Sequence, residues 1–139
     1  MIDNVNNYQP NGQPAADRWV TALHLFDEQH AQTAAEKWDR AQLLFEARDY
    51  TAAVPLLTEI LTETPRHQGV RLLLARAYYH SAQLGRAEQQ LREIIERHPG
   101  EHYAYLMLGR TLQRRGRPEE ARPWLRMAAA FTGKHGDPA

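Results

Sequence analysis

The feature that most constrains this chain is a repeat of one fixed length. Pro65 and Pro99 stand 34 residues apart. Ala53, Ala87 and Ala121 keep the same interval, and so do Ala41, Ala75 and Gly109. Leu44, Tyr78 and Leu112 follow it, with Leu57, Leu91 and Leu125, and with Ile60, Ile94 and Ala128. Most of these places keep their residue class over two steps. A fixed period of this kind signals a supersecondary unit copied and stacked, because one such unit cannot bury its apolar face alone. Three units result, over residues 34–67, 68–101 and 102–135.

Each unit predicts helix, turn, helix. In the middle unit, apolar spacing predicts a first helix over about 68–82 and a second over about 86–97. "AQLGR" separates them, and Pro99 with Gly100 stops the second. The third unit turns at "RRGRPEE", with Pro118 in a first helical turn, where its missing N–H is harmless. "TAAE", Thr33 to Glu36, has the spacing of a capping box and predicts a helix start there. Upstream, Trp19, Leu23 and Phe26 predict one extra helix over 17–30, connected through residue 33. No Pro or Gly lies between Pro14 and Pro55, so fusion of that helix with the next stays open. Residues 1–16, rich in Asn, Gln and Pro, predict a flexible tail, and 136–139 a short C-terminal one. The fold class is all-α: three stacked helix pairs behind an extra N-terminal helix. Two helices close to about 8–10 Å only over small side chains, which explains Ala75, Ala87, Gly109 and Ala121. Pro55 and Pro123 fall inside second helices and should bend them.

The pattern resembles the tetratricopeptide repeat, a period of 34 with a large residue, Leu, a small residue, an aromatic, Ala, a large residue and Pro. The middle unit carries Arg71, Leu74, Ala75, Tyr78, Ala87, Leu91 and Pro99 at those places. The third carries Tyr105, Leu108, Gly109, Leu112, Ala121 and Leu125, ending in Gly133 instead of Pro. The first conforms at Ala41, Leu44, Ala53, Leu57 and Pro65 but has Lys37 and Arg40 where Trp and Leu are usual. The resemblance implies a curved solenoid whose first helices line a concave binding face. It does not name a ligand, since function lives in sites grafted on a fold.

Enzyme chemistry finds little support. There is no Gly-rich phosphate loop, GxSxG or HExxH, and no cysteine, so thiolate catalysis, disulfides and cysteine-based zinc sites are excluded together. His98 and His102 are four apart, but Pro99 and Gly100 break any helix between them, so no metal site is expected. No catalytic residue and no cofactor is expected. The start has no basic region followed by an apolar run, and no apolar stretch nears the roughly 20 residues of a membrane span. The expectation is a soluble cytoplasmic protein that does not engage membranes.

The implied concave face selects the candidate site. Residues spaced four then three share one side of a helix. Opposite the core positions lie Trp38, Gln42 and Phe45 in the first unit, then Leu72, Arg76, Tyr79 and His80 in the second. The third offers Tyr103, Leu106, Met107, Arg110 and Arg114. An apolar floor with guanidinium forks suits an extended or helical peptide carrying carboxylates and apolar anchors. Some members of the resembled family hold a partner's C-terminal carboxylate with Lys, Asn and Arg on this face. The matching places here hold Trp38, Gln42, Leu73, Tyr103 and Met107, so that clamp is absent.

Net charge is zero, yet it is unevenly spread. Residues 1–65 carry 4 basic and 10 acidic side chains, and residues 66–139 carry 13 and 7. Such a dipole suits an acidic partner or head-to-tail association of copies. The sequence also ends in "FTGKHGDPA" without a further polar helix, which should leave Leu125, Ala129 and Phe131 partly uncovered. The expected function is therefore a non-catalytic protein–protein interaction module, an adaptor or scaffold binding a protein or peptide, with a self-assembling homo-oligomer as the alternative. RNA binding through Arg110, Arg114, Arg115, Arg117 and Arg122 ranks below both, because aromatics do not interleave with these arginines as stacking platforms would.

Overall fold

A computed structural model of the chain describes residues 32–133. The expected helix over 17–30, both tails and the connection up to residue 31 lie outside the described residues. The described part is six helices and no strand. They are α1 (Ala34–Glu46), α2 (Tyr50–Glu63), α3 (Gln68–His80), α4 (Leu84–Arg97), α5 (His102–Arg114) and α6 (Pro118–Gly133). Each helix packs on its neighbour in sequence. The middle turn lies two residues earlier than expected: α3 ends at His80 and α4 starts at Leu84, taking Gly85 into its first turn.

The turn inside each unit is the same structure three times. Arg48, Ala82 and Gly116 have φ of 65°, 63° and 79°, and they stand 34 residues apart. In each, the next residue donates its N–H to a carbonyl five positions back: Asp49 to Leu44 at 2.8 Å, Gln83 to Tyr78 at 2.8 Å, and Arg117 to Leu112 at 2.9 Å. The residue itself donates to Phe45, Tyr79 or Gln113 at 2.9–3.1 Å. This pair of bonds is the Schellman ending, which places one residue in the left-handed region and favours glycine there. Only the third unit supplies glycine. Ala82→Gly is therefore expected to raise stability by about 0.5–1 kcal/mol, the relief of left-handed strain exceeding the extra freedom of the unfolded chain. Thermal unfolding measures it.

The turns between units are closed by the residue at the fourth place of the next first helix. Arg71 donates to the Pro65 carbonyl at 2.8 Å, and the Tyr105 hydroxyl donates to the Pro99 carbonyl at 2.8 Å. Proline ends the helix because it has no N–H to give, and its own carbonyl is then taken by the incoming unit. In the first unit the same place holds Lys37, which pairs with Glu59 at 3.3 Å and Glu63 at 3.9 Å across the pair.

Two apolar clusters form the core. One joins Ala41, Ala53, Leu57, Ile60 and Leu61 of the first unit to Val70, Leu73, Leu74 and Ala77 of α3. The other joins Ala75, Leu91 and Ile94 to Ala104, Met107, Leu108, Leu112 and Ala121. The small residues at the helix crossings, Ala41, Ala53, Ala75, Ala87 and Ala121, are fully buried. Pro55 and Pro123 lie inside α2 and α6 without ending them. Thr51 and Glu119, whose carbonyls those prolines cannot serve, are solvent-exposed.

Candidate functional site

Arg76 of α3 stands at the centre of the face read from the sequence. Its guanidinium carbon is 4.8 Å from the centre of the Phe45 ring and 5.8 Å from that of Tyr103. Phe45 belongs to the unit before and Tyr103 to the unit after, so one side chain is held by aromatic faces from both sides. Cation–π contacts of this kind orient a guanidinium without neutralising it. The Arg76 Nε is buried without a hydrogen-bond partner. Arg114 repeats the arrangement, its guanidinium carbon 4.7 Å from the Tyr79 ring while Nη1 donates to the Tyr79 carbonyl at 2.9 Å.

His80 completes the cluster. Its ring stacks on Tyr50 at 4.8 Å and meets Phe45 and Tyr79 edge-on at 5.7 and 5.4 Å. Burial lowers its pKa from the ordinary 6.5, and the charges of Arg76, Arg114 and Arg48 lower it further. The imidazole is therefore neutral at pH 7 and leaves the positive charge of this face to the arginines.

The structure divides the candidate residues. Phe45, Arg76, Tyr79, His80, Tyr103 and Arg114 come together as one aromatic and guanidinium cluster. Gln42 and Leu72 are half-buried, Leu72 against the core of the third unit. Trp38 is half-buried with its ring 6.1 Å from that of His67. Leu106, with Tyr103, borders a cleft whose other wall is Leu125, Ala128 and Ala129 of α6. Arg110 is exposed. Met107 corrects the sequence reading: it is 4% exposed and packed in the core with Leu91 and Ile94, so it offers no surface to a ligand. It lies one position beyond the outward stripe, on the side of α5 that α4 covers. Tyr50 and Arg48 belong to the cluster and were not foreseen. They sit in the turn and the second helix, where the first-helix period says nothing.

Ion pairing separates two classes of arginine. Arg92, Arg97, Arg115, Arg117 and Arg122 each pair with a glutamate. No ion pair of the described residues includes Arg48, Arg76, Arg110 or Arg114, nor Arg40, Arg66, Arg71, Arg86 or Arg126; of these nine only Arg76 and Arg114 lie over an aromatic ring. The paired class centres on Glu88, which is 8% exposed. Its carboxylate accepts from Arg115 at 2.5 Å, Arg117 at 2.9 Å and Arg92 at 2.9 Å. Glu120 ties Arg92 and Arg117 together, each at 2.9 Å. This network clamps α4 to the turn and helix of the next unit. It also pairs Arg115 and Arg117, while Glu119 pairs Arg122 separately; these are three of the five residues on which RNA binding would have rested.

One tetratricopeptide repeat family model matches residues 44–107 and a second matches residues 103–135. The chain is a tetratricopeptide repeat protein. Cellulose synthase 1 operon protein C of Komagataeibacter xylinus is 29% identical to it over 110 residues. Those residues make up 79% of this repeat protein and 8% of that relative, so the chain spans a small part of the curated protein it matches. Among solved structures, "MamA MSR-1 C2" superposes with a TM-score of 0.72 at 20% identity, covering 88% of this chain and 70% of that one. "MamA 41-end from Desulfovibrio magneticus RS-1" gives 0.72 at 17% identity, covering 87% and 68%. At these identities the likeness establishes the fold of the tetratricopeptide repeats. Membership of the family supports a protein-interaction or scaffold role. No described helix is long and apolar enough to cross a membrane.

Proposed function

We propose that this tetratricopeptide repeat protein is a non-catalytic adaptor whose first-helix face binds a protein segment carrying carboxylates beside apolar anchors. The observation that carries the proposal is the seating of Arg76 and Arg114. Among the described arginines these two alone lie over aromatic rings without a carboxylate partner. A guanidinium held in place loses little side-chain freedom when a carboxylate arrives, so more of the contact energy appears as affinity. The aromatic rings around Arg76 supply the apolar contact for neighbouring side chains of the segment.

Selection of a random peptide library on the folded protein tests this. Enriched sequences are expected to carry Asp or Glu within a few residues of a Leu, Ile or aromatic. Arg76→Ala with Arg110→Ala should keep its helical content and lose at least about tenfold in affinity for them, two charge-assisted contacts being worth about 1.5–3 kcal/mol each at most. Enrichment of basic peptides, or undiminished binding by the double variant, overturns the reading.

A further inference from the structure

The repeat register specifies what a fourth unit would touch on α6, and the first unit carries opposite charge at the corresponding places. At the junction of the first and second units, Val70, Leu73 and Ala77 of α3 are buried against α2. At the next junction, Ala104, Met107 and Thr111 take those places and are buried in turn. One period upstream, the same side of α1 shows Glu36 and Asp39, both exposed, and Leu43, 66% exposed. The other half of each junction is the second helix. Leu57 and Leu61 of α2 become Leu91 and Ile95 of α4, and Leu125 and Ala129 of α6. Leu125 is partly buried and Ala129 is exposed.

The charges along this register are decisive. Glu88 of the second unit reaches forward to Arg115 and Arg117 of the third. One period on from Glu88 is Arg122, and two periods back from Arg117 is Asp49. The junction salt bridge thus has a counterpart with its signs exchanged, divided between the far end of the third unit and the near end of the first. Arg122 is exposed and holds only the exposed Glu119, at 3.1 Å, while Asp49 caps α2 without a side-chain bond. Arg126, also exposed, adds positive charge to the α6 side, and Asp39 adds negative charge to the α1 side.

We infer that a second copy of this chain stacks on α6, its α1 continuing the helix order, with Leu43 against Leu125 and Asp49 paired to Arg122 of the first copy. The contact extends the repeat array from one molecule to the next, so it is heterologous and grows head to tail. Glu36 and Asp39 stand where Val70 and Leu73, then Ala104 and Met107, are buried, which keeps the contact weaker and wetter than the intramolecular junctions. Association is therefore salt-dependent, because its specific part is an ion pair between exposed groups. This interface is separate from the arginine and aromatic face proposed above.

Sedimentation velocity of the 139-residue chain tests it. At 50 mM NaCl the mass-average sedimentation coefficient is expected to rise with concentration up to a few hundred micromolar, and at 500 mM NaCl to rise much less. Arg122→Glu and Asp49→Arg each turn the attraction into a repulsion and should weaken association about tenfold while leaving helicity unchanged. An equimolar mixture of the two variants should regain association, since each presents the charge that the other's altered end requires. Arg76→Ala with Arg110→Ala should associate like the parent chain. A chain that stays monomeric at low salt overturns the inference. So do single variants that associate normally, a mixture that does not recover, or loss of association in the Arg76 and Arg110 variant.

Discussion

Gly109→Leu is expected to lower stability by about 3 kcal/mol, near the upper end for overpacking a well-filled site. Gly109 is the third member of the small-residue series begun by Ala41 and Ala75, and the crossing there has no room for a side chain. A methyl group on Gly109 would lie 2.5 Å from the Leu125 Cγ and 3.4 Å from the Leu125 backbone nitrogen. The first contact is with a branched carbon close to the α6 backbone, so turning a flexible tip away does not relieve it. The helices α5 and α6 would have to part, opening Leu108 and Leu112 to water. Even Gly109→Ala should destabilise the protein, although alanine alone favours a helix by about 1 kcal/mol over glycine. A leucine exceeds that gain several-fold. Differential scanning calorimetry should show the midpoint falling by about 10 °C, at roughly 4 °C per kcal/mol for a domain of this size. Ala75→Leu, at the equivalent and fully buried place, is expected to cost about 1–3 kcal/mol. An unchanged midpoint in both variants would remove the close helix crossing from the explanation of the fold.

Glu88→Ala should cost about 2 kcal/mol. The loss is of two kinds. The carboxylate is buried and fully engaged, so its removal deletes charge-assisted bonds from Arg92, Arg115 and Arg117 at once. The three guanidinium groups remain, like charges gathered around an empty place. Their side chains are 37–39% exposed, so water relieves part of the penalty and holds it below that of a dry interior. Burial by itself raises the Glu88 pKa, but the hydrogen bonds from Arg92, Arg117 and Arg115 outweigh it, and the group lies below its ordinary 4.5. A carboxylate with a depressed folded-state pKa contributes stability above its unfolded value and loses it as pH falls through the folded one. Glu88→Gln, close in shape but uncharged, should therefore be less stable than the parent at pH 7. The gap should narrow below about pH 4.5. Chemical denaturation at pH 7 and at low pH measures both, and a gap independent of pH would show that the charge of Glu88 is not what stabilises the junction.

The repeat length made most of the fold legible. The interval between Ala41, Ala75 and Gly109 marks the helix crossings, and Pro65 and Pro99 mark the helix ends, because these positions answer to local sterics that recur in every unit. The turns were harder to read. Arg48 and Ala82 occupy left-handed positions with residues that carry no such signal, and only Gly116 announces the conformation. The candidate face was partly legible for a related reason. A helical period assigns a side of a helix, which correctly groups Arg76 with Tyr79 and His80. It does not say how far a neighbouring helix wraps around, and that is why Met107, one position from the outward stripe, proved to be core. Tyr50 stacks on His80 and Arg48 acts on it by its charge, both from elements with another register, and Glu88 meets its arginines across 27 and 29 residues. Contacts between different positions of successive units leave no mark in a pattern that compares like positions.

In the proposed function Arg76 and Arg114 on their aromatic seats, with Arg110, form the ligand-binding face. Backbone amide shift mapping of the isotope-labelled protein with a selected acidic peptide tests it most directly. The largest perturbations are expected on Phe45, Arg76, Tyr79, His80, Arg110 and Arg114, and should diminish as salt is raised. Perturbations concentrated on α2 and α6, with those six residues unmoved, would contradict it.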